Sequence, residues 1–393
     1  MTVSVRPLTD DDAAVSRQLG FEAFGVPPTP PAAISTLPQP GHHWFGAFED
    51  GELVARMSDR EFDSWFAGAA VPTAGLASVT VAAEHRGRGA FSPLILTGLR
   101  AARERGAVIS TLFPTAPRIY RRFGYELISA HDTVSVPTQV LADAGAGSAR
   151  TRRAGEDDVE GIRDVYDGWA AAQNGPLTRR GVSYPLSSAD FLGRFTGVTV
   201  AEDADGISGF VSWTRSDGYG EEASMQVRDL IARTPEGYRS LLAVIGSFAG
   251  VAPTTLIDTS GDDLVRLFVP TLHWQVVHSA PYMLKILDIP GALGLVVSPP
   301  GWKKELSFAL KGDVLTDNDG AYGLSVDDGS VRCARVEKAE RSFSPHGLAL
   351  AYAGAQSCAN LRAIGHLSGG DLAEDPAWDA LFGGRQLHIR DDF

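Results

Sequence analysis

Apolar and polar positions in the first hundred residues form short alternating runs, broken by residues that favour turns. Alternation with period two predicts strands, and apolar residues spaced three or four apart predict a helix. The pattern therefore predicts a strand, a helix with an acidic start, a hairpin, a further strand and a helix packed on a sheet. We expect these elements at Val3 to Arg6, after Asp10 to Asp12, at His43 to Phe48 with Leu53 to Met57, at Leu76 to Val81, and at Phe91 to Arg105.

A similar order of elements returns in the middle of the chain. Arg153 to Asp158 parallels the segment that begins at Arg6, and a helical pattern again follows. Met225 to Arg233 and Gly237 to Phe248 then repeat the step from strand to helix. We therefore predict a duplicated module, joined through the small residues near Asp143 to Ser148.

The last hundred residues have a different character. Glu305 to Leu310 and Tyr322 to Val326 alternate, and Asp328-Gly329 predicts a tight hairpin turn. Two helical patterns follow, and Gln386 to Phe393 predicts a terminal strand. A small α+β unit is expected here. The predicted domains are residues 1–142, 143–286 and 287–393.

Composition agrees with several folded domains and excludes one class of function. The chain has 393 residues, and domains average about 150 residues. Hydrophobic residues make up 44% of the chain and charged residues 21%, so sizeable cores can form. The 35 basic and 48 acidic side chains give a net charge of −13. This balance argues against a nucleic-acid partner, because binding phosphates needs clustered Lys and Arg.

The cysteines and the long uncharged stretches bear on location. Cys333 and Cys358 lack metal-ligand spacing, so neither a disulfide framework nor a metal site is expected. This usage favours a reducing, cytoplasmic location. The uncharged stretches Ser64 to Ala83 and Ser240 to Ile257 are broken by Pro, Gly, Ser and Thr, so we predict no membrane span.

The most informative stretch leads from the strand at Val79 to Val81 through Arg86-Gly87-Arg88-Gly89 into a helix. Such a turn aims backbone N–H groups and the positive end of a helix dipole at one point, which suits a pyrophosphate. The turn has neither the Gly-Lys-Ser/Thr of a P-loop nor the spacing of a dinucleotide fingerprint. We therefore expect a different phosphate-bearing ligand.

Together with Ile119 to Tyr125, this turn resembles the Gcn5-related N-acetyltransferase (GNAT) superfamily, although Phe91 stands where a small residue is usual. More narrowly, the chain resembles the enhanced intracellular survival (Eis) acetyltransferases. The resemblance implies two tandem GNAT-like mixed-sheet domains of α/β type, followed by a sterol-carrier-like α+β domain. The other motifs that carry it are Pro72 to Leu76, His85 to Gly89, Ile289 to Leu293 and an acidic residue before a terminal Phe.

The resemblance also implies roles for particular residues. Tyr120 would be the general acid that protonates the CoA thiolate, and the α-carboxylate of Phe393 would be the general base for the acceptor amine. A free carboxylate titrates near ~3.5, so it needs desolvation or a water relay to act as a base. Glu22 and Asp392 are candidates for an acidic substrate pocket. Acetyl-CoA would be held along Val79, Thr80 and Val81 by its pantetheine arm and at Arg86, Gly87, Arg88, Gly89 and Ala90 by its pyrophosphate.

The turn of the second module reads Arg233-Thr234-Pro235-Glu236-Gly237. Pro removes one N–H donor, and Glu places a negative charge where a phosphate would lie. We therefore predict that this module does not bind acetyl-CoA and instead forms one wall of the substrate cleft.

These residues lead to the hypothesis of direct acetyl transfer from acetyl-CoA to a primary amine, without a covalent enzyme intermediate, because no Cys lies near the turn. The resemblance implies aminoglycosides or lysine side chains as acceptors, and the net charge suits cationic amines. One alternative is a polyamine or protein-lysine acetyltransferase. Another is a lipid or apolar-ligand binding protein with a vestigial acetyltransferase module. The resemblance further implies a homo-hexamer.

Overall fold

The computed structural model describes residues 3–26, 37, 39–184, 186–261 and 263–393. Most of the strands in these residues form one twelve-stranded mixed sheet. Its strands, in chain order, are β1 Val3–Pro7, β2 His42–Glu49, β3 Glu52–Phe66, β4 Ala69–Val81, β5 Ile109–Leu112, β6 Glu126–Pro137, β7 Arg150–Arg153, β8 Gly197–Asp203, β9 Gly206–Arg215, β10 Ser224–Ala232, β11 Thr254–Thr259 and β12 Gln275–Ile286.

Helices cover this sheet and the smaller C-terminal one. They are α1 Ala13–Phe24, α2 Phe91–Glu104, α3 Pro117–Arg121, α4 Thr138–Asp143, α5 Val159–Ala170, α6 Ser188–Gly193, α7 Pro235–Gly246, α8 Leu264–Phe268, α9 Ile289–Gly294, α10 Pro345–Tyr352, α11 Cys358–Ala363 and α12 Asp375–Phe382. None of the helices in the described residues is long and apolar enough to cross a bilayer.

The two halves of the large sheet exchange their last strands. The strand order is β1-β2-β3-β4-β5-β12-β6-β11-β10-β9-β8-β7, so β12 pairs with β5 and β6 pairs with β11. Met283 and Leu287 accordingly pack in the core of the first half, and Val134 and Val136 pack in the core of the second. The predicted division at residue 142 therefore separates segments of sequence, whereas in space each half is completed by the other.

The duplicated start of each half is built on the same contacts. Arg6 donates to Asp12 (2.7 Å), which accepts from the backbone N–H of Thr9 (2.9 Å). Arg152 donates in the same way to Asp158 (2.6 Å), which accepts from the backbone N–H of Gly155 (2.8 Å). Arg6 thus corresponds to Arg152. The predicted repeat is present, but its alignment on Arg153 was wrong by one residue.

The C-terminal domain is a five-stranded sheet with helices packed on it. Its order is β15-β14-β13-β16-β17. The predicted hairpin turn is confirmed, with Asp328 and Gly329 both at positive φ (39° and 90°). The interior is filled by four aromatic rings in mutual contact, Phe308, Tyr322, Phe343 and Trp378. The strands are β13 Lys303–Leu310, β14 Gly320–Asp327, β15 Ser330–Val336, β16 Ser342–Phe343 and β17 Leu367–Ser368.

The predicted terminal strand from Gln386 to Phe393 was wrong. Within the segment Leu387 makes a β-bridge with Asn174, and the other residues have no strand assignment in the described structure. Side chains hold it instead: the buried Arg390 guanidinium donates to the carbonyl of Asp258 (3.0 Å) and to the Asp263 carboxylate (3.1 Å). Side-chain bonds to the second half replace the backbone ladder and lead the chain end back toward the first half.

Candidate active site

The Gly-rich turn joins β4 to α2 and lies open at the surface. Gly87 and Gly89 have φ of +75° and +96°, conformations that L side chains rarely adopt. A Cβ built on either glycine would meet nothing within 4 Å, so no other described residue covers the turn at these positions. Residues Arg86 to Gly89 are exposed and Ala90 is buried at the start of α2. The turn thus leaves its backbone and the helix N-terminus accessible to an anionic group.

β4 carries a bulge just before this turn. Arg56 of β3 pairs with Thr80, whereas Ser58 pairs with Ala77, so one residue of β3 faces two of β4. Ser78 has a positive φ of 53° in this bulge. A bulge re-aims the backbone groups of its strand, and such features are common beside active sites. The sequence showed no signal for Ser78 beyond its place in a β-branched strand.

The two central strands of the first half separate at the same level. β4 pairs with β5 from Thr73 to Leu76 and no further. From Ala77 to Val81, β4 is paired with β3 on one side only. Val79, Thr80 and Val81 therefore lie at a strand edge that no second described strand covers, to which an extended ligand can add through main-chain hydrogen bonds. The Val81 carbonyl at this edge accepts from the Arg86 Nε (3.3 Å).

Phe393 lies where β4 and β5 separate. Its ring contacts those of Phe62 (centroids 5.0 Å apart) and Phe113 (5.5 Å). Gly75 makes room for it, because a Cβ on this glycine would approach the Phe393 ring to 2.8 Å. Arg228 forms an ion pair with Asp392 at 2.7 Å. Among the described residues, the Phe393 carboxylate forms no ion pair. The chain end is therefore held by its ring, and its carboxylate stays free.

Tyr120 lies in α3, beside the start of α2. Its ring meets Phe91 edge-on, with centroids 5.8 Å apart, and Phe91 also contacts Phe123. Phe91, which stands at the position where a small residue is usual, thus packs against Tyr120. Burial raises the pKa of Tyr120 to about 12, so the phenol keeps its proton at neutral pH, as a proton donor must.

A cavity of about 600 Å³ opens beside Phe393, between α1 and the strands β2, β3 and β4. Arg56 and Arg60 alternate with Ser58 along β3 and face this cavity, with Phe393 at one side. The further lining residues include the basic or aromatic side chains of Arg17, Phe21, Phe24, His42 and Trp44, together with Leu37, Gln39 and several small residues. No carboxylate side chain lines it within the described residues. Burial, Arg60 and His43 lower the pKa of His42.

The structure does not assemble the predicted acidic pocket from Glu22 and Asp392. Glu22 lies on the exposed side of α1, outside the cavity lining. Asp392 turns toward the second half, where it accepts from Arg228. The two side chains therefore lie apart, and the cavity beside Phe393 is basic. The arginines were missed, although Arg56 and Arg60 at alternate positions of a mostly buried strand were a visible signal.

The turn of the second half is already occupied by the chain itself. Thr234 caps α7 by accepting from the Gly237 N–H (3.1 Å). Glu236 accepts from the backbone N–H of Ser148 (3.0 Å) in the preceding linker and from Arg239 (2.9 Å). One helix-start N–H that a pyrophosphate would need is therefore already bonded, and the Glu236 carboxylate adds negative charge beside it.

Three segments of the chain match family models. Residues 4–128 and 184–286 each match an acetyltransferase (GNAT) domain, and residues 289–390 match the sterol carrier protein domain. An uncharacterized N-acetyltransferase of Streptomyces griseus is 26% identical and covers 97% of both chains. N-acetyltransferase Eis of Mycobacterium tuberculosis is 26% identical over 79% of this chain and 78% of its own. The crystal structure of a GCN5-related N-acetyltransferase from Kribbella flavida has a TM-score of 0.84 at 28% identity, covering 100% of this chain and 98% of that one.

Fold and site together define a tandem GNAT acetyltransferase with a C-terminal sterol carrier domain, which confirms the predicted fold class. Within that class the chain is similar to N-acetyltransferase Eis, which confirms the Eis-like resemblance that the sequence indicated. It is therefore an enzyme, and its reaction type is acyl transfer to an amine.

Proposed function

We propose that the protein transfers an acetyl group from acetyl-CoA directly to a primary amine. The free edge of β4 at Val79 to Val81 would bind the pantetheine arm, and Arg86 to Ala90 would bind the pyrophosphate. Tyr120 would donate a proton to the leaving thiolate, and the Phe393 carboxylate would accept a proton from the amine. The proposal is carried by the position of the chain end, which reaches the bulge of β4 where β4 and β5 separate.

The residues fit a reaction without a covalent enzyme intermediate. The amine nitrogen attacks the acetyl carbon, the C–S bond breaks, the sulfur takes the Tyr120 proton, and the amine proton passes to Phe393. The two cysteines lie in the C-terminal domain, and burial raises the pKa of Cys333 and Cys358 to about 12. A buried neutral thiol is a poor nucleophile. Direct transfer is therefore favoured over a thioester intermediate.

Aminoglycosides and lysine side chains, the acceptors implied by the family resemblance, are the first compounds to test, with polyamines beside them. A lipid-binding role is not favoured, because the aromatic rings of Phe308, Tyr322, Phe343 and Trp378 fill the interior of the C-terminal domain. A hexameric assembly and a cytoplasmic location remain part of the proposal. Light scattering of the purified protein and fractionation of its host cells test them.

A C-terminal extension tests the proposed function. Adding a Gly-Ser dipeptide after Phe393 keeps the ring but moves the carboxylate away, and we expect turnover to fall roughly 10²- to 10³-fold, as for loss of a general base. The same dipeptide before Met1 is the matched control. The measurement is CoA thiol release with an amine panel, alongside acetyl-CoA affinity, which should not change. Equal turnover in both extended chains would remove Phe393 from the mechanism.

A further inference from the structure

The cavity beside Phe393 holds positive charge that the chain does not neutralise. Arg17, Arg56 and Arg60 line it, and none of them forms an ion pair with a carboxylate in the described residues. Among the described lining residues Phe393, the last residue, is the one that carries a carboxylate. Residues 27–36, which precede Leu37 in the chain, contain neither Asp nor Glu. The lining is therefore cationic, although the whole protein has a net charge of −13.

Arg56 is the most deeply buried of these side chains. Only 9% of its surface is exposed, and its Nε has no partner. One Nη donates to the Ser16 hydroxyl (3.0 Å), and the guanidinium lies over the Trp44 ring (4.9 Å). Gly20 allows α1 to pass close by, because a Cβ there would overlap the guanidinium. The surroundings thus fix the position of Arg56 without supplying the negative charge that a buried cation normally has.

The electrostatics agree with this geometry. Burial lowers the pKa of Arg56 to about 10, with no acidic group acting against it. Burial also lowers the pKa of Arg60, although Tyr184 and Asp392 act against it. Arg60 lies four residues further along the same face of β3 and has an unpartnered Nε. Arg56 is buried and Arg60 is partly buried on the same strand face, and a guanidinium binds a carboxylate or phosphate through charge-assisted hydrogen bonds. A polycationic acceptor would instead be repelled from the same surface.

We propose that this cavity selects primary amines that also carry an acidic group, with Arg56 and Arg60 binding the anion while the amine faces Phe393. Trp44 and Phe21 supply apolar contact for the part of the acceptor between the two ends. This inference rests on the proposed acetyl transfer and names its acceptor class: an amino acid, an amino phosphate or a similar zwitterion. Aminoglycosides, which carry several positive charges and no negative one, lie outside this class.

Matched acceptors test the selection. 6-Aminohexanoate, 6-aminohexanamide and hexylamine share one amine and one chain length and differ at the far end, and shorter ω-amino acids vary the reach. 3-Aminopropyl phosphate tests phosphate against carboxylate. We expect kcat/KM for the best acidic amine to exceed that of its amide roughly 10- to 100-fold, the range of one charge-assisted hydrogen bond. A preference for the amide, hexylamine or an aminoglycoside would overturn the inference while leaving the acetyl transfer intact.

Variants assign the selection to Arg56. Arg56→Gln should bring the acid-to-amide ratio close to one through loss of acid kcat/KM, and Arg56→Lys should restore part of the preference. Arg100→Gln, which removes an exposed charge on α2, is the control and should keep the full ratio. An unchanged ratio in Arg56→Gln would contradict the assignment. Circular dichroism and melting curves check that each variant is folded.

Calorimetry separates the inference from the proposed function. Binding of 6-aminohexanoate to the full chain should be at least about tenfold tighter than binding of its amide, whether or not turnover occurs. If no amine caused CoA release, the proposed acetyl transfer would be overturned. The ratio of the acid and amide binding constants would then test the inference by itself. Equal binding of acid and amide would overturn it.

Discussion

The two halves of the large sheet each hold a cavity next to a β-bulge, and the terminal residues separate the two cavities. In the first half the cavity arginines Arg17, Arg56 and Arg60 form no ion pair with a carboxylate of the described residues. The second half has a smaller cavity, of about 340 Å³, beside a bulge where β9 and β10 shift register. There Arg179 donates to both oxygens of Asp229 (2.9 Å each) and to Asp391 (2.9 Å), and Arg228 binds Asp392 (2.7 Å).

The difference shows how one duplicated framework can be used in two ways. In the second half Arg179 and Arg228 are each matched by a carboxylate of the tail, so their charges fasten the chain end. In the first half no carboxylate of the described chain takes that place. The paired arginines of the second half stabilise the fold, whereas the unpaired arginines of the first half form a binding surface. Losing a paired arginine should therefore cost stability, and losing an unpaired one should change the choice of substrate.

The largest expected effect comes from breaking the paired network. Arg179→Gln leaves Asp229 and Asp391 without their partner, and we expect a loss of about 3–5 kcal/mol in the free energy of unfolding, as for removing one member of a buried ion pair. Arg56→Gln is the matched variant in the other cavity and should cost at most about 1 kcal/mol, because it strands no carboxylate. Urea denaturation measures both. A similar cost for the two variants would break the comparison.

The second expected effect concerns the proton donor of the first half. Tyr120→Phe should lower kcat roughly 10²-fold and leave acetyl-CoA affinity unchanged, because the ring and its contact with Phe91 remain. Tyr238→Phe removes a buried hydroxyl next to the corresponding turn of the second half and should leave kcat unchanged. Steady-state kinetics with the best acceptor measure kcat for both variants. Equal kcat in both variants would exclude Tyr120 as the acid.

The smallest expected effect is a pH dependence of stability. Burial by itself would raise the pKa of Asp229, but Arg179 outweighs it and lowers the pKa to about 2. The carboxylate therefore stabilises the fold fully above about pH 4, and roughly 2 kcal/mol is lost as the pH falls through 2. Urea midpoints between pH 5 and pH 2 measure this loss. The Arg179→Gln chain should show a flatter profile, and a parallel profile would assign the acid sensitivity to other groups.

The local pattern of apolar and polar residues was sufficient to predict the elements around the glycine turn. The hairpin of β2 and β3, the strand β4, the helix α2 and the basic glycine turn all depend on residues close in sequence. The exchange of β6 and β12 could not be foreseen. Periodicity shows which face of a strand is buried but not which of several apolar strands lies beside it.

The cavity and the conformation of the chain end could not be predicted from the sequence for a related reason. Arg56 and Arg60 occupy alternate positions that mark one strand face, yet only the fold shows that α1 and Phe393 close over that face. The tail alternates like a strand, but Arg390 and Asp391 bond to the second half through their side chains, and so no ladder forms. A period of two does not distinguish a strand from an extended segment held by buried charges.

The strand exchange sets the order in which the protein can be completed on the ribosome. β5 emerges early, but its partner β12 begins roughly 160 residues later, a delay on the order of ten seconds or more at usual rates of synthesis. During that time the edge of β5 is an unpaired template that could recruit another chain. Refolding yield should accordingly fall steeply with protein concentration, and nascent chains that end before β12 should be the forms that aggregate.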